Sequence, residues 1–151
     1  LGGHSLIFGG GASGLMGACA GGAREAGGRI VGIAPRFFDE PGILLKDYGE
    51  LIFTETMSER KAMMEDRAEA FIALPGGIGT YEEFFEIFTL KSLNRIDRPI
   101  VLYNINGYYD RMKELLEYTA KENFMDSSVL ELVVFLNDPD AVLNYLVYYR
   151  K

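Results

Sequence analysis

Two short stretches carry residue types suited to chemistry on an anionic, oxygen-rich substrate. One is Pro75-Gly76-Gly77-Ile78-Gly79-Thr80-Tyr81-Glu82-Glu83, directly behind the apolar run Phe71-Ile72-Ala73-Leu74. Glycines let successive backbone amides converge, and a helix opening at that point adds the positive end of its dipole. A phosphate is the natural guest. Without Gly-Lys-Ser/Thr the stretch is not a Walker loop. A capping box also accounts for Thr80 and Glu83, with Thr80 capping and Glu83 reaching back across three residues. It leaves Pro75-Gly76-Gly77 unexplained, so on residue types alone a functional and a structural role both stand. The other stretch is Met57-Ser58-Glu59-Arg60-Lys61, behind the apolar Leu51–Phe53. Arg60 has the fork to grip an anion or a carboxylate. A solvated, charged helix start is the plainer alternative.

A second glycine block, Gly9-Gly10-Gly11-Ala12-Ser13-Gly14-Leu15-Met16-Gly17, contains G-x-G-x-x-G at Gly9, Gly11 and Gly14. That spacing is the dinucleotide fingerprint, weak by itself. The acid expected about 20 residues on is missing. The corresponding strand tip reads Ala34-Pro35-Arg36, where an arginine suits a 2′-phosphate. A tight turn with close helix–sheet packing explains the block without any ligand.

Positioning these residues falls to strands and helices in alternation. Short, β-rich runs without polar alternation occupy Ser5–Phe8, Arg29–Ala34, Glu50–Thr54, Ala70–Leu74, Pro99–Asn104 and Leu132–Leu136. Continuous apolar strands belong to parallel sheets. Helical patterns fill the gaps at Ser13–Ala26, Ser58–Arg67, Thr80–Leu93, Tyr108–Asn123 and Pro139–Tyr149. Phe84, Ile87, Phe88 and Lys91 share one face of the third, and Asp138 caps the last with Pro139 at its first position. The pattern predicts an α/β fold, a doubly wound parallel sheet with helices on both faces, in a single domain over residues 1–151. Ligands of such folds bind beyond the carboxyl ends of the strands, where all three stretches lie.

Composition excludes several classes. The net charge of −7, without a basic block, disfavours nucleic acid as a partner. One cysteine, Cys19, and one histidine, His4, leave no disulfide pair, no Cys-based zinc cluster and no multi-His metal site. No apolar run reaches the roughly 18 residues of a membrane span. No signal peptide is evident, so the chain is read as cytoplasmic. Leu1-Gly2-Gly3 resembles a helix end with glycines past its cap, and a preceding segment is expected.

Taken in this order, the blocks Gly9–Gly17, Met57–Lys61 and Pro75–Glu83 resemble the LOG family, the cytokinin riboside 5′-monophosphate phosphoribohydrolases, often labelled lysine decarboxylase-like. The likeness runs from about Leu1 to the final helix. It implies a Rossmann-like homodimer that hydrolyses the N-glycosidic bond of a nucleoside 5′-monophosphate to free base and ribose 5-phosphate, with neither metal nor pyridoxal phosphate. It implies Arg60 and Glu83 as catalytic residues and Gly76, Gly77, Gly79 and Thr80 as the phosphate loop. It implies Gly10, Gly11, Gly14 and Met16 as the block lining the nucleotide, with Met57, Lys61 and Glu82 as further substrate contacts. Family chains begin with a strand and helix that have no counterpart in this sequence. Segment Pro35–Asp47 also lacks the His-containing stretch usual in plant-type members, which leaves AMP and a cytokinin-type base side by side. A non-catalytic nucleotide or molybdenum-cofactor carrier of the same superfold is the alternative, and an NADP-dependent oxidoreductase a distant third.

Overall fold

The computed structural model describes residues 3–47 and 49–149. The helix end expected at Leu1-Gly2 lies outside them. The chain divides into two compact units, Leu1–Ala68 and Glu69–Lys151.

The first unit is a three-stranded parallel sheet in the order β1-β2-β3, with β1 at Leu6–Phe8, β2 at Ile30–Pro35 and β3 at Glu50–Thr54. Phe8 pairs with Gly32, and Ile33 with Ile52. Every residue of β2 is buried, as a central parallel strand requires. Helix α1, Gly14–Glu25, is made of small residues and so sits close on the sheet, with Ala20 sealed against Phe8 and Ile30. Helix α2, Met57–Arg67, starts where β3 ends.

Helix α2 opens one residue earlier than its sequence pattern suggests, and Ser58 does not cap it. The cap is Thr56, whose hydroxyl accepts from the Glu59 amide at 3.1 Å. Glu59 reaches back to the Glu55 amide at 2.9 Å. A hydroxyl at the cap and a glutamate three residues on satisfy amides that the helix itself leaves without partners.

The second unit repeats the plan: β4 at Phe71–Ala73, β5 at Ile100–Tyr103 and β6 at Val134–Leu136 pair in parallel in that order. Helices α3 at Ile78–Ser92, α4 at Asp110–Lys121 and α5 at Pro139–Tyr149 alternate with them. Phe84 and Phe88 of α3 stack at 5.4 Å and meet Ile100, Leu102, Tyr109, Leu116 and Val133 in one core. Lys91 continues that buried face, as its spacing predicts, and is held by the Arg98 carbonyl and the Tyr149 hydroxyl, each at 2.8 Å. Asp138 caps α5 through the Ala141 amide at 2.8 Å. Both units are thus α/β with parallel strands joined through helices, the Rossmann-like class. Among the described residues no helix is long and apolar enough to cross a membrane.

Candidate active site

The candidate residues fall into two groups, one in each unit. In the first unit β1 delivers the chain to the glycine block. Gly10 takes φ +78°, which a side chain strongly disfavours, and Gly11 bridges to Leu44. The Ala12 amide donates to the Ile43 carbonyl at 2.9 Å, and the Leu45 amide to the Gly10 carbonyl at 2.8 Å. The block is therefore clamped by segment 43–45, a pairing that glycine spacing alone does not disclose. Met16, half exposed at the start of α1, lies over Gly9 and Gly11, with its Sδ 3.6 Å and 3.2 Å from where their Cβ atoms would sit.

Arg60 enters the same place from α2. It is 8% exposed, and its Nε donates to the Ile33 carbonyl at 3.1 Å. That bond fixes one edge of the guanidinium against the buried centre of the sheet. Nη2 of the same guanidinium comes so near the glycine block that a Cβ on Gly9 would lie 2.2 Å from it. Gly9, Gly11, Met16 and Arg60 are thus brought together, whereas Gly14 is exposed at the surface turn into α1. Met57 is exposed and Lys61 half-buried on α2. Arg36, the residue that would suit a 2′-phosphate, is engaged elsewhere. Its Nε meets Glu55 at 2.8 Å, and its guanidinium lies over the Phe53 ring at 5.5 Å. Both charged partners are well exposed, so the pair adds little stability.

In the second unit β4 ends at Ala73 and the glycine loop follows. Helix α3 begins at Ile78 with Gly77 as its cap residue, and no side chain caps it. This corrects the capping-box expectation. Thr80 lies inside the first turn, and its hydroxyl sits over Gly76, where a Cβ would be 2.1 Å from Oγ1. Gly76 admits no side chain because Thr80 fills that space. Gly77 and Gly79 face open space and are exposed.

The first intrahelical bond of α3 runs from the Tyr81 amide to the Gly77 carbonyl at 3.2 Å. The amides before it, from Gly77 to Thr80, belong to the set a helix leaves unpaired. Glu83 is half-buried and follows Gly79 by four residues and Thr80 by three. That spacing puts its side chain on their face of the helix, about 4.5–6 Å further along the axis. Glu82, one position earlier, is exposed.

Residues the motifs did not mark hold this loop from behind. Tyr109 is fully buried, and its hydroxyl donates to the Leu74 carbonyl at 2.5 Å. Tyr108 donates to the Gly76 carbonyl at 2.7 Å. The Tyr81 hydroxyl stands 3.3 Å from that of Tyr108. Burial, then the neighbouring Tyr108 and Tyr81 hydroxyls, push the Tyr109 phenol up to about 12. Asn104 fixes the tyrosine pair, accepting from the Tyr109 amide at 2.6 Å and donating to Asp110 at 2.7 Å. The sequence signal was the doublet Tyr108-Tyr109 after Asn106-Gly107, which tyrosine abundance alone did not distinguish from core packing.

A family model described as possible lysine decarboxylase matches residues 16–146. A cytokinin riboside 5′-monophosphate phosphoribohydrolase of Mycobacterium tuberculosis is 40% identical over 141 residues, 93% of this chain and 75% of the relative. One of Rhodococcoides fascians is 38% identical over 139 residues, 91% of this chain and 70% of the relative. The chain belongs to this family. One of Arabidopsis thaliana is 38% identical over 137 residues, 91% of this chain but 59% of the relative. The chain therefore spans between about three fifths and three quarters of the length of these phosphoribohydrolases. Among the described residues no group of three or more His, Cys, Asp or Glu is arranged to hold a metal ion.

Proposed function

We propose that the chain hydrolyses the N-glycosidic bond of a nucleoside 5′-monophosphate, AMP or a cytokinin riboside 5′-monophosphate. The observation that supports this best lies within α3. Its unpaired first amides, Gly77 to Thr80, stand one turn from Glu83 on the same face. A phosphate held by those amides leaves the sugar attached to it beside the carboxylate. The names of the relatives at 38% to 40% identity point to the same reaction class.

In the reaction, the bond between ribose C1′ and the base nitrogen breaks and its electron pair leaves with the base. Water supplies the new C1′ hydroxyl, and the base takes up a proton. Positive charge builds on the ribose in between, an oxocarbenium-like state. Glu83 stabilises that charge, holds ribose hydroxyls or activates the water. Arg60 acts in the same reaction. Its guanidinium is held by the Ile33 carbonyl against Gly9, in the glycine block whose Gly10, Gly11, Gly14 and Met16 are assigned to the nucleotide. Gly76, Gly77, Gly79 and Thr80 bind the phosphate, with Met57, Lys61 and Glu82 as further substrate contacts. The phosphate contributes binding energy remote from the bond that breaks, which positions the sugar. This reading requires no cofactor. It takes residues 1–151 as one nucleotide-binding domain and the protein as a cytoplasmic homodimer.

The test is incubation with AMP, isopentenyladenosine 5′-monophosphate and adenosine, with assay of free base and ribose 5-phosphate. Equal amounts of both products are expected from at least one monophosphate, and none from adenosine, which lacks the phosphate. Base release from adenosine at a comparable rate would remove the role of the loop. No release from either monophosphate would remove the function.

A further inference from the structure

We infer that Tyr108 is a positioning residue, whose hydroxyl locks the Gly76–Gly77 peptide in the orientation an anion requires. The inference rests on the assignment of this loop to phosphate and adds a residue to it.

Three observations carry it. The Tyr108 hydroxyl donates to the Gly76 carbonyl at 2.7 Å. No cis peptide occurs among the described residues, so in the Gly76–Gly77 unit the carbonyl and the N–H point in opposite directions. Drawing the carbonyl toward Tyr108 therefore turns the Gly77 N–H to the opposite side, away from the tyrosines. Finally, the unit lies between two glycines. Both lack the side chain that would restrict rotation, so the peptide has little intrinsic resistance to turning over. A flip would aim a carbonyl dipole where an amide had been, and the site would repel the anion it is meant to hold.

The hydrogen-bond inventory makes the assignment more specific. A tyrosine hydroxyl has one proton. Tyr108 commits its proton to Gly76, so in the 3.3 Å contact Tyr81 is the donor and Tyr108 the acceptor. Tyr81 thereby holds the Tyr108 hydroxyl in place rather than competing for it. Tyr109 plays a different part. It holds the Leu74 carbonyl, but the next residue is Pro75, which has no N–H to aim. Tyr109 secures the path of the chain, and Tyr108 sets the direction of an amide.

The experiment measures binding of inorganic phosphate and of AMP by calorimetry to wild type, Tyr108→Phe and Tyr109→Phe. Thermal melts of each are recorded alongside. Tyr108→Phe keeps the ring and removes only the hydroxyl. It is expected to weaken phosphate about tenfold, the loss of roughly one charge-assisted hydrogen bond. Turnover of the nucleotide should show the loss chiefly in KM, because phosphate grips ground state and transition state alike. Tyr109→Phe is expected to lower the melting temperature more while weakening phosphate less. A Gly77→Ala background supplies the second readout. Gly77 has φ −88° and open space at its Cβ position, so alanine fits the present orientation. The flipped one would force alanine to positive φ. The Tyr108→Phe penalty should therefore shrink in that background.

Wild type that binds phosphate as tightly as Tyr108→Phe overturns the inference and leaves the phosphate loop standing. Equal weakening by both phenylalanine variants overturns it as well, because general loosening of the loop would then be the cause. A wild type that binds neither phosphate nor AMP overturns the inference together with the loop assignment it rests on.

Discussion

The space a side chain would need at Gly9 is already taken by Arg60: a Cβ there would lie 2.2 Å from Nη2 and 3.3 Å from Cζ. The backbone at Gly9 is not in the left-handed region, so alanine meets no conformational penalty there, only the end of the arginine side chain. Gly9→Ala should therefore fold, with Arg60 displaced. The expected loss in kcat is about a hundredfold, the scale of a 1 Å misplacement of a reacting group. Steady-state kinetics and a thermal melt on the same preparation check it. Unchanged kcat with a lowered melting temperature would mean that the glycine serves packing alone.

Arg60, proposed to act in the reaction, also has a structural part. Its Nε satisfies the carbonyl of Ile33 in the centre of a buried strand. Arg60→Ala leaves that carbonyl without a partner and should cost about 1–3 kcal/mol of stability in addition to activity. Arg60→Lys should recover part of the stability and little of the activity, because an ammonium lacks the planar fork that reaches both the Ile33 carbonyl and Gly9. Denaturant titration separates the two effects.

The cap of α2 is a cleaner stability test. Thr56→Ala removes the acceptor of the Glu59 amide. A loss of about 1 kcal/mol is expected, with a fall in melting temperature of about 2–4 °C. Ser58→Ala, inside the first turn of α2, should lose much less.

How far the sequence disclosed the molecule can be read from such particulars. All six strands and five helices lie where periodicity put them, because apolar runs such as Ile30–Pro35 and the Phe84, Phe88, Lys91 face are long-range packing written locally. Helix starts were less legible. Thr56 and Glu59, and Thr80 and Glu83, carry the same spacing, yet only the first pair caps a helix. The difference is tertiary: at the second start the Thr80 side chain is committed to the space over Gly76. The motifs marked Arg60 and Glu83 but not Tyr108, Tyr109, Asn104 or the 43–45 clamp. Those act through hydrogen bonds to backbone carbonyls and amides, which leave no residue-type pattern of their own.

Tyr109 gives the alkaline behaviour a definite sign. Its folded value of about 12 lies above the ordinary phenol value of 10.0, so folding favours the protonated phenol. The stability this brings is complete below pH 10 and is lost as pH rises from about 10 toward 12. Tyr149, raised to about 12 by burial and by Asp97, works in the same direction. Burial of Lys91 lowers its value, which opposes this trend just below pH 10.5. Alkaline titration of tyrosinate absorbance should show late-ionising groups whose number falls by one in Tyr109→Phe. An unchanged titration in that variant would contradict the burial of the Tyr109 hydroxyl.

The measurement closest to the centre of the account compares wild type, Glu83→Gln and Arg60→Ala for release of ribose 5-phosphate and free base from AMP and isopentenyladenosine 5′-monophosphate. Glu83→Gln keeps the shape of the side chain and removes its charge. Both variants should bind the nucleotide, and each should lose at least a hundredfold in kcat, the lower range for a positioned acid–base group. Glu83→Gln should also remain folded, as a thermal melt checks. Base release by Glu83→Gln at the wild-type rate, or nucleotide binding by wild type with no base released at all, would contradict the proposed function.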